Sequence, residues 1–487
     1  MKYSIEDFHN KAINDYQIKS DWSQEALTEA KLINSDIKKD VSFLDYPFVT
    51  IDGEDAKDFD DAIYCELIDE GFNLKVAIAD VSHYVKEDSH LDFEAMNRAT
   101  STYFPRKVIP MLPEKLSNEV CSLQPNKFRR VLYADIKLDK DGHVQAYQFK
   151  RGMIKSVARL TYNEVEGFID NKFEGLEGAY QQSLAASYLL FQKLLKLRNY
   201  RGALELDIAE PVLNMNSQGF VQKVTSRRRL VAHQLIEEFM LVANVCAANL
   251  LKKNFPQSVF RNHDYPESLK IDRLSQSLKK RGLNWEGTAE NINNLPKLLE
   301  RLKSRPDKST LHMMVLQSMQ RAAYEPECKG HFGLKYDEYT HFTSPIRRYP
   351  DLIVHRLLKS IIDKNLNVIE NLEEILEHCS TKERDAEFAS KQVIQCLICC
   401  HCKQFIGQNF KGYISGVKDF GLFVDIPELF TTGMLHVSEL PSDRYNFNAR
   451  SQSLDGRRRG NKFTHGDKID VYIGEISELE GKISLYY

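Results

Sequence analysis

The chain contains 487 residues, enough for about three domains. Its hydrophobic content of 42% and charged content of 28% are those of a folded globular protein, which excludes disorder, collagen-like repeats and coiled coil for most of the chain. The formal net charge of -3 leaves a nucleic-acid partner open, because phosphate binding depends on local charge.

The first half of the main body has the pattern of strands. After about 45 polar, helix-leaning residues, strands are predicted at 46–51, 74–81, 131–138 and 144–149. The last two flank the sequence Asp-Lys-Asp-Gly at 139–142, which is typical of a hairpin turn.

From about Gly178 the hydrophobic period changes from two to 3.6, which predicts helices. They are expected at 189–197, 235–243, 298–302, 311–323, 346–362 and 372–402. After Gly407, short glycine-punctuated strands at 412–426, 433–437 and 468–485 predict a small barrel. The predicted fold class is α+β, with a mixed strand and helix body followed by a small β-barrel.

The most apolar stretch, 240–251, is about 12 residues long and contains two asparagines, so no segment is expected to span a membrane. The N-terminus has no apolar signal-peptide core, which favours a cytoplasmic location.

Nine cysteines form an odd count, which argues against a disulfide framework. Five of them crowd at positions 379, 396, 399, 400 and 402. A zinc site needs a second ligand pair beside Cys396 and Cys399, so packing as small hydrophobes on a buried helix is the favoured interpretation. Three basic runs, at 227–229, 279–281 and 457–459, are interpreted as solvated unless another observation links them to phosphate.

The acidic segment at 52–61 is the most informative part of the sequence. Six carboxylates lie within ten residues, between two apolar runs, with Lys57 as the only cation in that segment. At an effective dielectric of about 20 and a separation of about 5 Å, each like-charge pair costs about 3 kcal/mol. Converging carboxylates therefore need raised pKa values or a hard cation such as Mg²⁺ or Mn²⁺. The alternative is a solvated loop whose side chains point apart.

A second signal lies about 290 residues further along the chain, at 341–352. Ser344 and Pro345 predict a helix start, which would leave amide N–H groups beside Arg347 and Arg348 as an anion site. The alternative is an ion pair between Arg347 and Asp351 on one helix. A metal loop together with a basic helix start would suit phosphodiester hydrolysis.

At these segments the sequence resembles the ribonuclease II superfamily. The matching segments are TIDGEDAKDFDD at 50–61, ADVS at 79–82, TYFP at 102–105, VIPMLP at 108–113, LSN at 116–118, IEEFM at 236–240 and FTSPIRRY at 342–349. They follow one another in order over nearly the whole chain. The resemblance implies a Mg²⁺-dependent, processive 3′→5′ exoribonuclease that hydrolyses single-stranded RNA to nucleoside 5′-monophosphates, with Mn²⁺ as a possible substitute.

The resemblance also implies roles for individual residues. Asp52, Asp58, Asp60 and Asp61 match the aspartates of the metal centre, and Asp60 is expected to be the least replaceable. Tyr103 matches an aromatic residue that clamps a base near the 3′ end, with an ordinary core tyrosine as the alternative. Arg347 matches the arginine at the scissile phosphate. Glu383 is expected to contact RNA, or else to be an exposed helix carboxylate.

The C-terminal part resembles an RNA-binding OB-fold of the ribosomal protein S1 type. The resemblance rests on KG at 411–412, FGLFV at 420–424 and GMLHVS at 433–438. It places Phe420, Phe423 and His436 on the RNA-stacking surface, with Lys482 where an arginine is more usual. The alternative is that these aromatic residues fill the barrel.

The expected organisation is an N-terminal helical or linker segment at 1–45 without cold-shock modules, an RNB catalytic domain at 46–405 and the S1-type OB-fold at 406–487. Two other functions stay open from the residues: an inactive RNA-binding protein that kept the fold, and a DNA nuclease with the same metal chemistry. Single-stranded RNA is the expected partner of a monomeric protein.

Overall fold

The computed structural model describes residues 3–34, 41–285, 292–305, 307–449, 451–458 and 460–487. Arg459, in the third basic run, lies outside these residues. The chain begins with two helices, α1 (Ile5–Asp15) and α2 (Gln24–Leu32). In α1, Ser4 and Asp7 form a capping box, which satisfies backbone donors at the helix start.

A six-stranded sheet follows, and it positions the acidic loop. The elements up to residue 161 are β1 (Val49–Asp52), β2 (Asp61–Ile68), β3 (Gly71–Ala79), α3 (Val81–Tyr84), α4 (His90–Arg98), β4 (Thr102–Phe104), β5 (Lys107–Ile109), a π-helix (Lys115–Val120), β6 (Phe128–Asp139), β7 (Val144–Lys155) and β8 (Ala158–Thr161). The strand order is β7-β6-β3-β2-β1-β8. Within the described residues of this sheet, β1 and β8 pair in parallel, and every other pair of neighbouring strands is antiparallel.

The strands predicted from alternation are confirmed, with shifted or longer bounds. β6 and β7 form the predicted antiparallel hairpin. Its turn places Gly142 at φ +93°, a conformation that favours glycine, and the Gly142 N–H donates to the Asp139 carbonyl at 3.0 Å.

The next part of the chain is mainly helical. Its elements are α5 (Tyr162–Asp170), α6 (Gln181–Arg201), β9 (Pro211–Met215), β10 (Val221–Ser226), α7 (Val231–Asn254), β11 (Phe260–Asn262), α8 (Ser268–Lys280), α9 (Leu295–Leu302), α10 (Lys308–Ser318), β12 (Ala323–Glu325), α11 (Tyr349–Ile362) and α12 (Leu372–Cys402). The predicted helix at 372–402 is confirmed at both ends. The helix predicted at 311–323 is too long, because α10 ends at Ser318 and Ala323 already belongs to β12. The β9–β10 hairpin is missing from the prediction.

The α7 helix is longer than the apolar stretch of about 12 residues that the sequence indicated. It has 24 residues and, by length and composition, is apolar enough to cross a membrane. However, 67% of its most apolar window is buried within the protein, and Phe239 and Ala243 on this helix belong to the main core. In this fold α7 is therefore a core helix that packs against the sheet.

The chain ends in a small β-barrel, as predicted. Its strands are β13 (Asn409–Lys418), β14 (Gly421–Ile426), β15 (Thr431–His436), β16 (Tyr445–Asn448), β17 (Ser453–Gly456), β18 (Lys462–Thr464), β19 (Lys468–Ser477) and β20 (Lys482–Tyr486). Five of them close in the order β13-β14-β15-β20-β19, which confirms the fold class. The small sheet β16-β17-β18, inserted between two barrel strands, was not predicted.

The long helix α12 connects the body to the barrel. Near its middle, Ala389 and Val393 belong to the same buried cluster as Phe8 of α1. At its end, Cys399 and Cys402 belong to the core of the barrel. All five crowded cysteines are buried free thiols, so the prediction that they pack as small hydrophobes is confirmed.

Candidate active site

The acidic loop joins two neighbouring strands, and this brings its aspartates to one edge of the sheet. Asp52 is the last residue of β1, and Asp61 is the first residue of β2. Because these strands pair antiparallel, the end of one lies beside the start of the other. Asp58 and Asp60 come from the loop between them.

Two side chains from other parts of the sheet region hold the loop. The Ser122 hydroxyl donates to the Lys57 carbonyl at 2.7 Å and accepts from the Phe59 N–H at 3.1 Å. The Arg159 guanidinium, on β8, donates to the Gly53 carbonyl at 2.5 Å. The loop backbone is therefore fixed from both sides. Asp60 is buried and Asp52, Asp58 and Asp61 are partly buried, whereas Glu54 and Asp55 are exposed.

Asp60 connects this loop to the second sequence signal. Its side chain is 5% exposed, and its Oδ1 accepts a hydrogen bond from the Ile346 N–H at 2.9 Å. Its own carbonyl accepts from the Ala79 N–H at 2.8 Å. One buried carboxylate thus joins two segments that lie far apart in the sequence.

The prediction of a helix that begins at Ser344 and Pro345 is wrong. Residues 344–347 form a turn in which the Arg348 N–H donates to the Ser344 carbonyl at 3.0 Å, and α11 begins at Tyr349. The Ile346 N–H, which the prediction assigned to a bound anion, donates to Asp60 instead. A tertiary contact has replaced the local capping pattern.

The two arginines of this turn have different partners. The Arg347 Nε lies 3.7 Å from Asp60 Oδ2, and its Nη2 donates to the Ser344 hydroxyl at 3.0 Å. Arg348 pairs with the buried Asp351 at 2.7 Å, so the alternative of an ion pair between Arg347 and Asp351 is wrong. Arg347 keeps 45% of its side chain exposed and is available to a ligand.

These groups line one cavity of about 730 Å³. The cavity brings together six of the residues predicted to form the catalytic centre or its clamp, and adds a fifth aspartate. They are Asp52, Asp58, Asp60, Asp61, Tyr103 and Arg347 from the prediction or its family match, with Asp55 beside them. The expectation that the acidic loop faces the arginine segment is therefore met in the fold.

Burial raises the pKa of three of these carboxyl groups. The pKa of Asp61 rises to about 7 because the group is desolvated and lies near the charge of Asp52. Desolvation also raises the pKa of Asp60 well above its ordinary value, although Arg347 opposes the shift. Burial and the charge of Asp58 raise the pKa of Asp52. One guanidinium does not offset this cluster of acids.

The donor chemistry fits a hard divalent cation. Asp60 Oδ2 is buried and has no hydrogen-bond partner among the described residues. In the part of the chain that the structure describes, however, no three His, Cys, Asp or Glu side chains stand in an arrangement that holds a metal ion by itself. Mg²⁺ commonly binds one or two carboxylates and completes its shell with water and substrate phosphates. The residues present fit a cation site of that open kind.

Tyr103 lies at the mouth of the cavity, on the β4–β5 hairpin. Its ring is 42% exposed, and its hydroxyl donates to Asp58 Oδ2 at 3.1 Å. The Tyr103 carbonyl accepts from the Ser390 hydroxyl of α12 at 2.7 Å. The side chain is thus on the surface, in contrast to the alternative of a core tyrosine, and it presents a ring face beside the acids.

Glu383 does not line this cavity. It forms a two-point ion pair with Arg261, with nitrogen–oxygen distances of 2.7 and 3.1 Å. The Arg261 guanidinium in turn lies over the ring of Tyr324, 4.5 Å from its centroid. Glu383 is therefore neither a lining residue nor an unpaired exposed carboxylate.

Sequence reasoning missed several lining residues because each lies in an ordinary helical or loop pattern. They are Tyr162, Arg227, Glu237, Asn244, Tyr339 and His341. Glu237 and Asn244 lie on α7, whose apolar period indicated only a core helix. Arg227 belongs to a basic run that was interpreted as solvated, and it lies 3.6 Å from Glu210.

The predicted stacking residues of the barrel lie on its outer surface. Phe420 is 46% exposed in the β13–β14 turn, and its ring centroid is 6.2 Å from that of Phe423. His436 is exposed at the end of β15, opposite Gly421. Lys482 begins β20 and is exposed, with Glu480 at 3.7 Å. The barrel core is filled by other residues, such as Leu422 and Leu435.

Two family models match the chain. The RNB domain model matches residues 40–364, and the S1 RNA binding domain model matches residues 403–487. The chain therefore belongs to the RNB domain family, and it carries an S1 domain at its C-terminal end. These matches confirm the family resemblance that the sequence motifs indicated.

Individual relatives and solved structures show which members of this family the chain is similar to. Ribonuclease R of Escherichia coli (strain K12) is 38% identical over 97% of this chain, which spans 61% of that relative's length. The structure of Mycoplasma genitalium RNase R in complex with ribose methylated single-stranded RNA matches with a TM-score of 0.92 at 29% identity, over 98% of this chain and 77% of that one. Yeast Ssd1, a pseudonuclease, shares the fold with a TM-score of 0.72 at 20% identity, over 92% of this chain and 58% of that one.

The raised pKa of Asp61 predicts how stability depends on pH in protein kept in EDTA. Between its ordinary pKa of 3.8 and about 7, the folded state holds a proton that the unfolded chain releases. The free energy of unfolding should therefore fall as the pH rises through this window. Thermal melting between pH 4 and 8 should show this fall, and Asp61→Asn should reduce it, because an amide does not titrate.

The exposed Asp69→Asn is the matched control and should leave the slope unchanged. An Asp61→Asn protein whose melting temperature falls as steeply as that of the wild type would contradict the assignment of a buried, protonated Asp61.

Proposed function

We propose that this protein is a hydrolytic 3′→5′ exoribonuclease that depends on a divalent cation and degrades single-stranded RNA to nucleoside 5′-monophosphates. The observation that carries the proposal is the single cavity in which the four aspartates face Arg347. The RNB and S1 matches and the ribonuclease R relatives support RNA as the substrate.

In this proposal, Asp60 and one or more of Asp52, Asp58 and Asp61 would hold Mg²⁺, with water and RNA phosphate in the remaining positions, and Mn²⁺ is a possible substitute. When bound, the cation supplies an activated water and stabilises the leaving oxygen. Asp60 is central because one of its oxygens is fixed by the Ile346 N–H while the other has no hydrogen-bond partner among the described residues. The carboxylate therefore keeps one oxygen available in a fixed direction.

Arg347 neutralises the charge that develops on the phosphate. Its fork of N–H donors suits phosphate oxygens, and the Ser344 hydroxyl holds the side chain at the cavity wall. Tyr103 stacks on a base near the 3′ end, and its hydrogen bond to Asp58 fixes the ring beside the acidic loop. The S1 barrel holds the RNA further from the cleavage site. The processive action, the monomeric state and the cytoplasmic location stay predictions.

An inactive RNA-binding protein that kept the fold is the second candidate. Yeast Ssd1, a pseudonuclease, is similar to this chain in fold alone. The residues of this chain favour catalysis, since the four aspartates and Arg347 lie together at the same cavity.

A digestion experiment tests the proposed function. Single-stranded RNA labelled at its 5′ end should yield mononucleotides and a short residual fragment with Mg²⁺, and no cleavage with EDTA. Asp60→Asn should slow cleavage by more than about a hundredfold, because the amide lacks the charge that binds the cation, while RNA affinity is largely kept.

Asp69→Asn, an isosteric change on the exposed β2–β3 turn, serves as the control and should cleave at the wild-type rate. A matched DNA strand, digested in parallel, separates an RNase from a DNA nuclease. An RNA that stays intact with every divalent cation would overturn the proposal in favour of the binding protein, and full activity of Asp60→Asn would remove this residue from the mechanism.

The barrel surface gives a prediction that does not depend on cleavage. Phe420→Ala should weaken binding of single-stranded RNA by about 5- to 150-fold, which corresponds to one lost base stack. Fluorescence anisotropy with EDTA present measures this loss without degradation. Tyr200→Ala removes a ring that is 93% exposed on α6 and should not change the affinity. Equal affinities of the wild type and the Phe420 variant would exclude stacking at this position.

A further inference from the structure

His341 lies in the wall of the active-site cavity and has no role in the account so far. The backbone on both sides of it is fixed by buried contacts. The Thr340 hydroxyl donates to the Val259 carbonyl at 2.6 Å, and the Phe342 N–H donates to the side-chain carbonyl of Asn244 at 2.8 Å. The imidazole therefore has a defined position, only a few residues before Arg347 in the same segment.

One ring nitrogen of His341 has a buried partner. The Tyr324 hydroxyl lies 2.7 Å from His341 Nδ1. Tyr324 is 4% exposed, and within the described ranges its hydroxyl has no other hydrogen-bond partner. Burial raises the pKa of Tyr324, so the hydroxyl keeps its proton and can donate a hydrogen bond to Nδ1.

A hydrogen bond donated by the Tyr324 hydroxyl would set the tautomer of the imidazole. Burial, with the nearby charge of Arg348, lowers the pKa of His341 well below its ordinary value, so the ring is neutral. A neutral ring that accepts at Nδ1 carries its hydrogen on Nε2. No group in the described part of the chain hydrogen-bonds to Nε2. In this tautomer the ring has one N–H donor without a partner among the described residues, at a cavity lined by aspartates together with Arg227, Arg347 and Arg348.

Tyr324 is itself held in place from two sides. Its backbone N–H donates to the Ser380 hydroxyl of α12 at 2.9 Å, and the Arg261 guanidinium covers its ring. The two-point ion pair between Arg261 and Glu383 fixes that guanidinium. Glu383, which the sequence suggested as an RNA contact, is therefore connected to the cavity through Arg261, Tyr324 and His341.

We propose that His341 donates a hydrogen bond from Nε2 to a non-bridging oxygen of the RNA phosphate next to Arg347, and that Tyr324 is the positioning residue that fixes this donor. The assignment rests on the proposed function for the identity of the substrate. A neutral donor suits this site, because it adds a contact to the phosphate without competing with the cation for the carboxylates. Glu383 acts on the same donor indirectly, by holding Arg261 against Tyr324.

The test combines variants with sulfur substitution at the phosphate. His341→Leu removes the donor, His341→Gln keeps an N–H donor, and Tyr324→Phe removes only the hydroxyl. Tyr64→Phe is the matched control, since it removes a tyrosine hydroxyl that donates to Glu66 on the central sheet. RNA with an Rp or an Sp phosphorothioate at the 3′-terminal linkage replaces one non-bridging oxygen at a time by a poor acceptor. Single-turnover cleavage rates, and RNA affinities in EDTA, are measured for each combination of protein variant and RNA. Melting temperatures show whether each variant is folded.

His341→Leu should slow cleavage by about 10- to 100-fold, the range expected for a lost hydrogen bond to a charged group, and should weaken RNA binding in EDTA. His341→Gln should recover part of the rate, Tyr324→Phe should lose a smaller factor, and Tyr64→Phe should match the wild type. The decisive result is non-additivity. One phosphorothioate diastereomer should slow cleavage by the wild type but should not slow His341→Leu any further. If His341 has a merely structural role, the Rp and Sp substitutions should slow His341→Leu as much as they slow the wild type.

The outcomes separate this inference from the proposed function. If the wild type cleaves RNA and folded His341→Leu has the same rate, affinity and sulfur effects, the His341 contact is wrong and the exoribonuclease proposal stands. If the wild type does not cleave RNA, the proposed function fails, and the affinity of His341→Leu for oxygen and sulfur RNA still decides whether the residue contacts phosphate.

Discussion

Asp60 is buried between a backbone amide and a guanidinium, and the candidate site depends on this arrangement. Its Oδ1 accepts the Ile346 N–H, and its Oδ2 faces Arg347. Without these contacts, a desolvated carboxylate beside two other acids would be strongly unfavourable in its charged form. The same contacts dock the turn at 344–347 onto the sheet edge, so the fold and the electrostatics of the cavity are fixed together. In the proposed function, a divalent cation and an RNA phosphate would complete this charge balance.

Much of the fold could be predicted because its signals are local. The alternation in β6 and β7 and the Asp-Lys-Asp-Gly turn specify a hairpin without help from the rest of the chain. The apolar period of α12 predicted a helix with the observed ends. The hairpin β9–β10 and the sheet β16-β17-β18 were missed because their short, largely exposed strands bury few side chains and so leave little apolar pattern.

The acidic residues of the candidate site could be predicted from the sequence, whereas the contacts that support them largely could not. The density of carboxylates at 52–61 indicated a site, since so much like charge needs compensation. The predicted start of α11 was wrong because the Ile346 N–H donates to Asp60, which lies 286 residues away in the sequence. No local pattern reveals such a contact. For the same reason, the resemblance implied an RNA contact for Glu383 but did not reveal the Arg261 guanidinium, which donates to both of its carboxylate oxygens.

We expect the carboxylates facing Arg347 to hold a divalent cation, and an RNA phosphate to complete the coordination shell of that cation. Anomalous diffraction from Mn²⁺, in crystals grown with RNA whose 3′-terminal linkage is uncleavable, tests it most directly. We expect a Mn²⁺ peak bound to Asp60 and to a phosphate oxygen, with Arg347 on the same phosphate. A phosphate seated against Arg347 with no Mn²⁺ at Asp60, or RNA bound elsewhere on the body, would contradict it.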